Sequence, residues 1–180
     1  EALFDSDGVH LDRPVPLKVR VEVAGGEMTI DFSEISEQVP GSINSGESGA
    51  VAAARVAFKS LVAPYSPIDE GCFRPLKIII PEGKILSATP PAPVGNWSRT
   101  LPRLIDLILK ALAPAMPDRV AAGHKGDMGG YAFFGTDPKT GRRFLCQTIM
   151  GGGWGGRAHE DGENSTVSMC QGDGQNAPVE

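Results

Sequence analysis

The 180 residues are 41% hydrophobic and 22% charged, a soluble globular balance with enough apolar material for the core of one ordinary domain. The net charge of −5 argues against a nucleic-acid surface, and no apolar run approaches the ~18 residues of a membrane span. The start Glu1-Ala-Leu-Phe-Asp5 lacks the layout of a signal peptide, so the expectation is a cytoplasmic protein with neither nucleic acid nor membrane as partner.

Asp5-Ser-Asp-Gly8 with Asp12 predicts a turn, without the spacing or closing glutamate of a calcium loop. Leu17–Val23 and Met28–Phe32 alternate apolar and polar residues around Ala24-Gly-Gly26, which predicts a β-hairpin with one wet face. After the loop Pro40–Gly46, Ser48 is placed to cap a helix over Ala50–Val62 that Pro64 and Pro67 end. A strand follows at Leu76–Ile80 and a turn at Pro81–Lys84. Pro90–Pro93 is expected extended, because each proline fixes φ and lacks a donor. Trp97 and Ser98 open a second helix, roughly Ser98 to Met116, with Leu101, Leu104, Ile105, Ile108, Leu109 and Leu112 at helical spacing. Pro102 is assigned to its first turn, and Pro114 and Pro117 close it. Then come the loop Gly123–Gly130, a short strand Tyr131–Phe134, a turn at Asp137–Gly141 and a strand Arg143–Met150. The pattern predicts an α+β fold in one segment, residues 1–180: mostly antiparallel strands, two main helices and long Gly-rich loops.

The last strand leads into Gly151-Gly-Gly-Trp-Gly-Gly-Arg-Ala-His-Glu-Asp-Gly162, and fourteen of the 23 glycines fall at or after Gly123. So many glycines imply a shaped loop, either an anion-binding nest of backbone N–H groups or a tight crossing of packed backbone. Within it Arg157, His159 and Asp161 are the candidate catalytic residues, offering charge and proton transfer. His124 with Asp127 and His159 with Asp161 each place an imidazole and a carboxylate close in sequence within a glycine-rich loop. Three histidines without metal-motif spacing specify no metal site, no Gly-x-x-x-x-Gly-Lys-Ser/Thr occurs, and no Gly-x-Gly-x-x-Gly sits between a strand and a helix. Cys72, Cys146 and Cys170 are widely spaced, with no Cys-x-x-Cys, and each is expected as a reduced, partly buried residue; Cys72, Cys170 and Ser98 become nucleophiles only if folding brings a base near. Asn44, Asn96 and Asn176 flank turns, where an amide caps backbone or orients a substrate carbonyl. Arg74 and Arg99 offer either carboxylate clamps or surface ion pairs.

Asp31-Phe-Ser33, Gln38-Val-Pro-Gly41 with Asn44, Asp69-Glu-Gly-Cys-Phe-Arg-Pro75, Ile80-Pro-Glu-Gly83, Pro90–Val94, Arg103 to Ala113, the Gly151–Gly162 loop and Asn176-Ala-Pro-Val-Glu180 together resemble the hydantoinase B family, in order along nearly the whole chain. The resemblance implies work beside a hydantoinase A-like ATP-binding subunit, in a complex that activates an amide or carbonyl by phosphorylation and then hydrolyses a cyclic amide or carboxylates a ketone. It implies that this chain matches a central segment of a longer subunit and that the other portions of that B-type subunit are partners. No cofactor is expected on this segment, while ATP and a divalent metal are expected elsewhere in the complex. The chain begins without methionine and ends at Pro-Val-Glu180, which reads as two cuts through a longer polypeptide. By their place in the matching motifs, Asn44, Glu70, Arg74, Asn96 and Asn176 are the candidate substrate-binding residues. The rival expectations are a ketone carboxylase segment, a non-catalytic assembly module whose Gly-rich loop docks a partner, and a stand-alone hydrolase using Cys72 or Ser98.

Overall fold

A computed structural model of the chain describes residues 1–95, 97–125 and 129–164. At the N-terminus β1 (Ala2–Phe4) pairs antiparallel with β2 (Val15–Leu17). The loop between them contains the expected turn, closed by Asp7, whose Oδ1 accepts from the backbone N–H groups of Val9 (2.8 Å) and His10 (2.6 Å). Gly41 lies against this loop so closely that a Cβ there would sit 1.6 Å from the Asp7 carbonyl oxygen.

The predicted hairpin forms as β3 (Arg20–Ala24) and β4 (Glu27–Asp31). Its two-residue turn uses Gly25 (φ 59°) and Gly26 (φ 89°), the pair of positive φ values that suits the twist of a tight hairpin. The first strand starts later than expected, because Leu17 is taken by β2, where it faces Ala2 and is fully buried. Met28, Ile30 and Phe32 point inward from β4 and the following residue, whereas Val23 on β3 stays exposed.

From β4 the chain crosses through α1 (Glu47–Val62) to β5 (Leu76–Ile79), which pairs parallel with β4 from Met28↔Leu76 to Asp31↔Ile79. The sheet therefore has the order β3-β4-β5, with one parallel and one antiparallel pairing. A parallel neighbour needs such a crossover, since a tight turn can only reverse the chain. Ser48 does not cap α1: it lies inside the helix, the N-cap is Gly46 without a side-chain cap, and Glu47 complements the positive end of the helix dipole. At the other end Lys59, buried, donates to the Ser66 carbonyl (2.8 Å), Ser66 Oγ (2.6 Å) and the Ala63 carbonyl. A cation over the last carbonyls offsets both the dipole and the orphaned acceptors.

Ala50, Ala53, Ala54 and Ala57 make the buried face of α1 nearly flat, so α2 (Trp97–Leu112) packs directly on it. Gly49 belongs to this contact, since a Cβ there would lie 2.5 Å from Ser45 Oγ and 3.2 Å from Leu101 Cδ2. α2 buries Leu101, Leu104, Ile105, Leu107, Ile108, Leu109 and Leu112. At roughly 2 kcal/mol for each large side chain removed from water, this helix carries a main share of the burial that opposes chain entropy. It stops at Leu112, a turn before Met116. Pro114 has no N–H to continue the ladder, and Ala115 and Met116 both donate to the Leu112 carbonyl at 2.9 Å. Pro102 lies inside the helix, in its second turn rather than its first.

Pro90–Pro93 is a turn rather than an extended run. The Pro90–Pro91 peptide is cis and Ala92 N–H donates to the Thr89 carbonyl at 3.1 Å, as a turn with a cis proline at its third position requires. Finally β6 (Gly129–Thr136), longer than the strand expected there, pairs antiparallel with β7 (Arg143–Met150) through the predicted turn at Asp137–Gly141. Two main helices with mostly antiparallel strands make the fold α+β.

Candidate functional site

The apolar stripe of α2 carries a single acid, Asp106, set between Ile105 and Leu107. Its carboxylate faces the segment that follows the helix. Asp106 Oδ2 accepts from the backbone N–H of His124 (3.2 Å), and Oδ1 makes a short contact with His124 Nδ1. The His124 side chain is 4% exposed and that of Asp106 14%. A ring N–H directed at a carboxylate fixes the tautomer and orientation of an imidazole, so this is an oriented imidazole–carboxylate pair. It is not the expected pairing of His124 with Asp127, which lies outside the described residues.

The glycine-rich loop closes over this pair. Trp154 stands edge-on to the His124 ring, with centroids 5.9 Å apart and planes at 82°. Ala122 N–H donates to the Gly156 carbonyl (2.8 Å) and Lys125 N–H to that of Gly153 (3.3 Å). The crossing is what demands glycine. A Cβ at Gly155 would lie 1.9 Å from the Ala122 carbonyl oxygen, and one at Gly162 1.9 Å from that of Trp154. Of the two expectations for the loop, the tight backbone crossing is the one these distances display. Two of its amides, Trp154 N–H and Arg157 N–H, are also consumed internally, by the carbonyls of Glu163 (2.9 Å) and Glu160 (2.8 Å).

Beside the pair opens a cavity of about 300 Å³, lined by Arg103, Asp106 and Lys110 around an apolar floor that includes Leu107 and Val120. Arg157, His159 and Asp161 stand on the exposed outer rim of the loop. Arg157 is paired with Glu160 at 2.7 Å, and His159 Nε2 lies 4.0 Å from Asp118 rather than beside Asp161. The loop thus has two tiers, an exposed charged rim and a buried imidazole–carboxylate base. The sequence does not advertise the second tier, because Asp106 and His124 are 18 residues apart and meet only when the chain folds back along α2.

The candidate substrate-binding residues are dispersed. Asn44 is fully buried, and its amide is engaged entirely with backbone: Oδ1 accepts from Val39 N–H (2.9 Å), and Nδ2 donates to the carbonyls of Val39 (2.8 Å), Gly41 (2.9 Å) and Pro93 (2.9 Å). It ties the Pro90–Pro93 turn to the loop before α1. Glu70 opens a single 3₁₀ turn, Glu70–Phe73, and forms a two-pronged ion pair with Arg55 (3.0 and 3.1 Å), whose guanidinium also lies 4.7 Å above the Phe73 ring. Arg74 ends the same turn and is exposed, as is Arg99 near the start of α2. Asn96 and Asn176 lie outside the described residues.

Cys72 is half-buried, with Sγ 3.3 Å from the Pro67 carbonyl, and its N–H holds the Asp69 carboxyl below the usual range by hydrogen bonding. Cys146 departs from expectation, since it is exposed on β7. Cys170 lies outside the described residues. Asp7, 4% exposed, is held down to about 2, chiefly by the His10 backbone N–H. Among the described residues no three of His, Cys, Asp and Glu converge as a metal site requires. Nor is any described helix long and apolar enough to cross a membrane.

A family model described as hydantoinase B/oxoprolinase matches residues 1–180. The chain is 30% identical over 187 aligned residues to a putative B-type subunit of a D-/L-hydantoinase from Pseudomonas sp. strain NS671, covering 100% of this chain and 31% of that protein. Among solved structures it is similar to the ATP-dependent caprolactamase from Pseudomonas jessenii (TM-score 0.74, 24% identity, 91% of this chain and 29% of that one). It is also similar to a nucleotide-free acetone carboxylase (TM-score 0.75, 14% identity, 97% of this chain and 24% of that one). The chain thus spans about a quarter to a third of the length of these proteins.

Proposed function

The chain belongs to the hydantoinase B/oxoprolinase family, and on that premise we propose that it forms part of the B-type half of an ATP-dependent enzyme that opens a cyclic amide, working with an A-type ATP-binding subunit. The observation that carries this reading is the similarity along 100% of the chain to a protein named as a hydantoinase subunit. The fold by itself does not choose the reaction, because a caprolactamase and an acetone carboxylase share it.

An amide resists hydrolysis because nitrogen donates its lone pair into the carbonyl and gives the C–N bond partial double-bond character. Transfer of a phosphoryl group from ATP to the amide oxygen turns that oxygen into part of a leaving group. Water then adds at the same carbon, the C–N bond of the tetrahedral adduct breaks as nitrogen takes up a proton, and the acyl phosphate left behind is hydrolysed by a second water to carboxylate and phosphate. For this chain the reading assigns proton handling to the rim of the loop. His159 passes a proton toward the leaving nitrogen, while Arg157 and Asp161 orient charge in the substrate. The His124–Asp106 pair, under Trp154, acts as a positioning element that holds the base of the loop. ATP and the divalent metal belong elsewhere in the complex.

The test is to assay the B-type subunit with its A-type partner on hydantoins and 5-oxoproline, following ADP and ring-opened product together, with labelled bicarbonate and acetone in a parallel reaction. Product formation coupled to ADP release supports the reading. Ring opening without ATP, or carbon fixation into the ketone, overturns it. His159→Asn is expected to lower turnover by about 100-fold, in line with the loss of a general acid, while the complex stays assembled. If the variant loses the A-type partner instead, the loop is a docking element.

A further inference from the structure

The cavity beside Asp106 carries two cations that the pair with His124 does not use. Its long wall is one stripe of α2, where Arg103, Asp106, Leu107 and Lys110 recur three or four residues apart and so share a face. Ala113 extends the row past the helix end, and the opposite wall is the returning segment 120–123, with Val120 buried. Asp106 engages His124 with both carboxylate oxygens, Oδ2 at its backbone N–H and Oδ1 at its ring. A helical carboxylate often pairs with a base three or four positions away, yet among the described residues neither Arg103 nor Lys110 forms an ion pair with it. Lys110 Nζ donates to the Glu1 carbonyl (3.1 Å), a neutral acceptor that takes one of its three N–H donors. Arg103 makes no hydrogen bond or ion pair among the described residues.

No other ionisable side chain among the described residues lines the cavity, so its walls hold two positive charges against one negative in a chain whose net charge is −5. The Ala122 N–H, which could serve an anion from the far wall, already donates to the Gly156 carbonyl (2.8 Å). Donors are therefore concentrated at the ends of Arg103 and Lys110, above an apolar floor. A phosphate ester spreads its charge over several terminal oxygens, and such a floor leaves some of them without donors. A carboxylate confines one charge to two oxygens, which suits a guanidinium fork with an ammonium beside it. The volume of about 300 Å³ is at the lower end for small-molecule sites. We infer that this cavity binds a small organic monocarboxylate, its charged end held by Arg103 and Lys110 and its short aliphatic body resting on Leu107, Ala113 and Val120. None of Arg157, His159 and Asp161 lines it, so the site goes beyond the proton handling proposed for the rim of the loop.

The probe is pentanoate, titrated calorimetrically into the intact B-type subunit without its A-type partner or ATP, with pentanamide and pentylamine as the neutral and cationic counterparts. Saturable binding of pentanoate at one site is expected in the millimolar range, with both counterparts at least about tenfold weaker. Arg103 is exposed, so Arg103→Met is expected to leave the melting temperature unchanged while weakening pentanoate at least about tenfold. Arg103→Lys restores part of that loss, because it returns the charge without the fork. Ala113→Leu fills the floor without altering either cation and is expected to weaken pentanoate to a similar degree. His159→Asn leaves the affinity unchanged. The inference is overturned if pentanoate does not bind, if pentanamide binds as well, if neither Arg103→Met nor Ala113→Leu changes the affinity, or if His159→Asn removes it. No turnover is read, so a subunit that opens no ring but holds pentanoate through Arg103 retains the inference while the proposed function fails. An active subunit that ignores pentanoate does the reverse.

Discussion

Replacing Asn44 by alanine separates two roles that its position in the matching motif leaves open. The side chain is fully buried, and its four hydrogen bonds go to backbone at Val39, Gly41 and Pro93. Each such bond contributes about 1 kcal/mol net, and the partners left behind are partly buried, so Asn44→Ala is expected to destabilise by about 3 kcal/mol. Asn44→Asp is expected to be worse despite its matching shape. It keeps the acceptor for Val39 N–H but turns a carboxylate oxygen toward three carbonyl oxygens, and a buried charge without a donor costs more than a missing group. The assay is calorimetry of the intact subunit, together with hydrogen exchange at the Val39 amide, which loses protection in both variants. A shift below about 1 kcal/mol refutes the structural reasoning. A raised KM with unchanged stability and unchanged Val39 protection refutes it more directly, because it places the amide against substrate.

The remaining expectations concern the loop, the pair beneath it and the acid limb of stability. Gly155→Ala forces a methyl group to 1.9 Å from the Ala122 carbonyl oxygen and is expected to cost about 2 kcal/mol or more. Gly156→Ala, whose Cβ meets its nearest neighbour at 3.5 Å, is the near-neutral control, and equal melting temperatures for the two variants contradict the crossing described above. Asp106→Asn removes the charge from a largely buried pair and is expected to cost about 3 kcal/mol, read by urea unfolding, with Trp154 fluorescence reporting the loosened loop. Asp7 has a folded-state pKa depressed from 3.8 to about 2. Its stabilisation is therefore fully present above pH ~4 and is lost as the pH falls toward ~2, because the unfolded chain binds the proton first. Asp7→Asn should flatten this limb of a plot of melting temperature against pH, and an unchanged slope between those values excludes Asp7 as a contributor.

Much of this molecule is legible as local pattern. The hairpin, α1, α2, β5 and β7 appear where periodicity two or 3.6 places them, because burial of one face is decided by residues a few positions apart. Errors concentrate where a distant partner intervenes. Leu17 leaves the hairpin for Ala2, Pro90–Pro91 adopts a cis turn closed onto Asn44, and Lys59 substitutes for the end cap that no local motif supplies. The candidate site divides in the same way. The sequence by itself determined the α+β class, the family and the existence of a shaped glycine loop, since composition, spacing and ordered motifs are properties of the linear chain. Only the tertiary structure decided what the glycines are for and which carboxylate holds His124. A backbone crossing at Ala122 and a contact between Asp106 and His124 are long-range events, specified by how the helix packs rather than by any residue's neighbours in the chain.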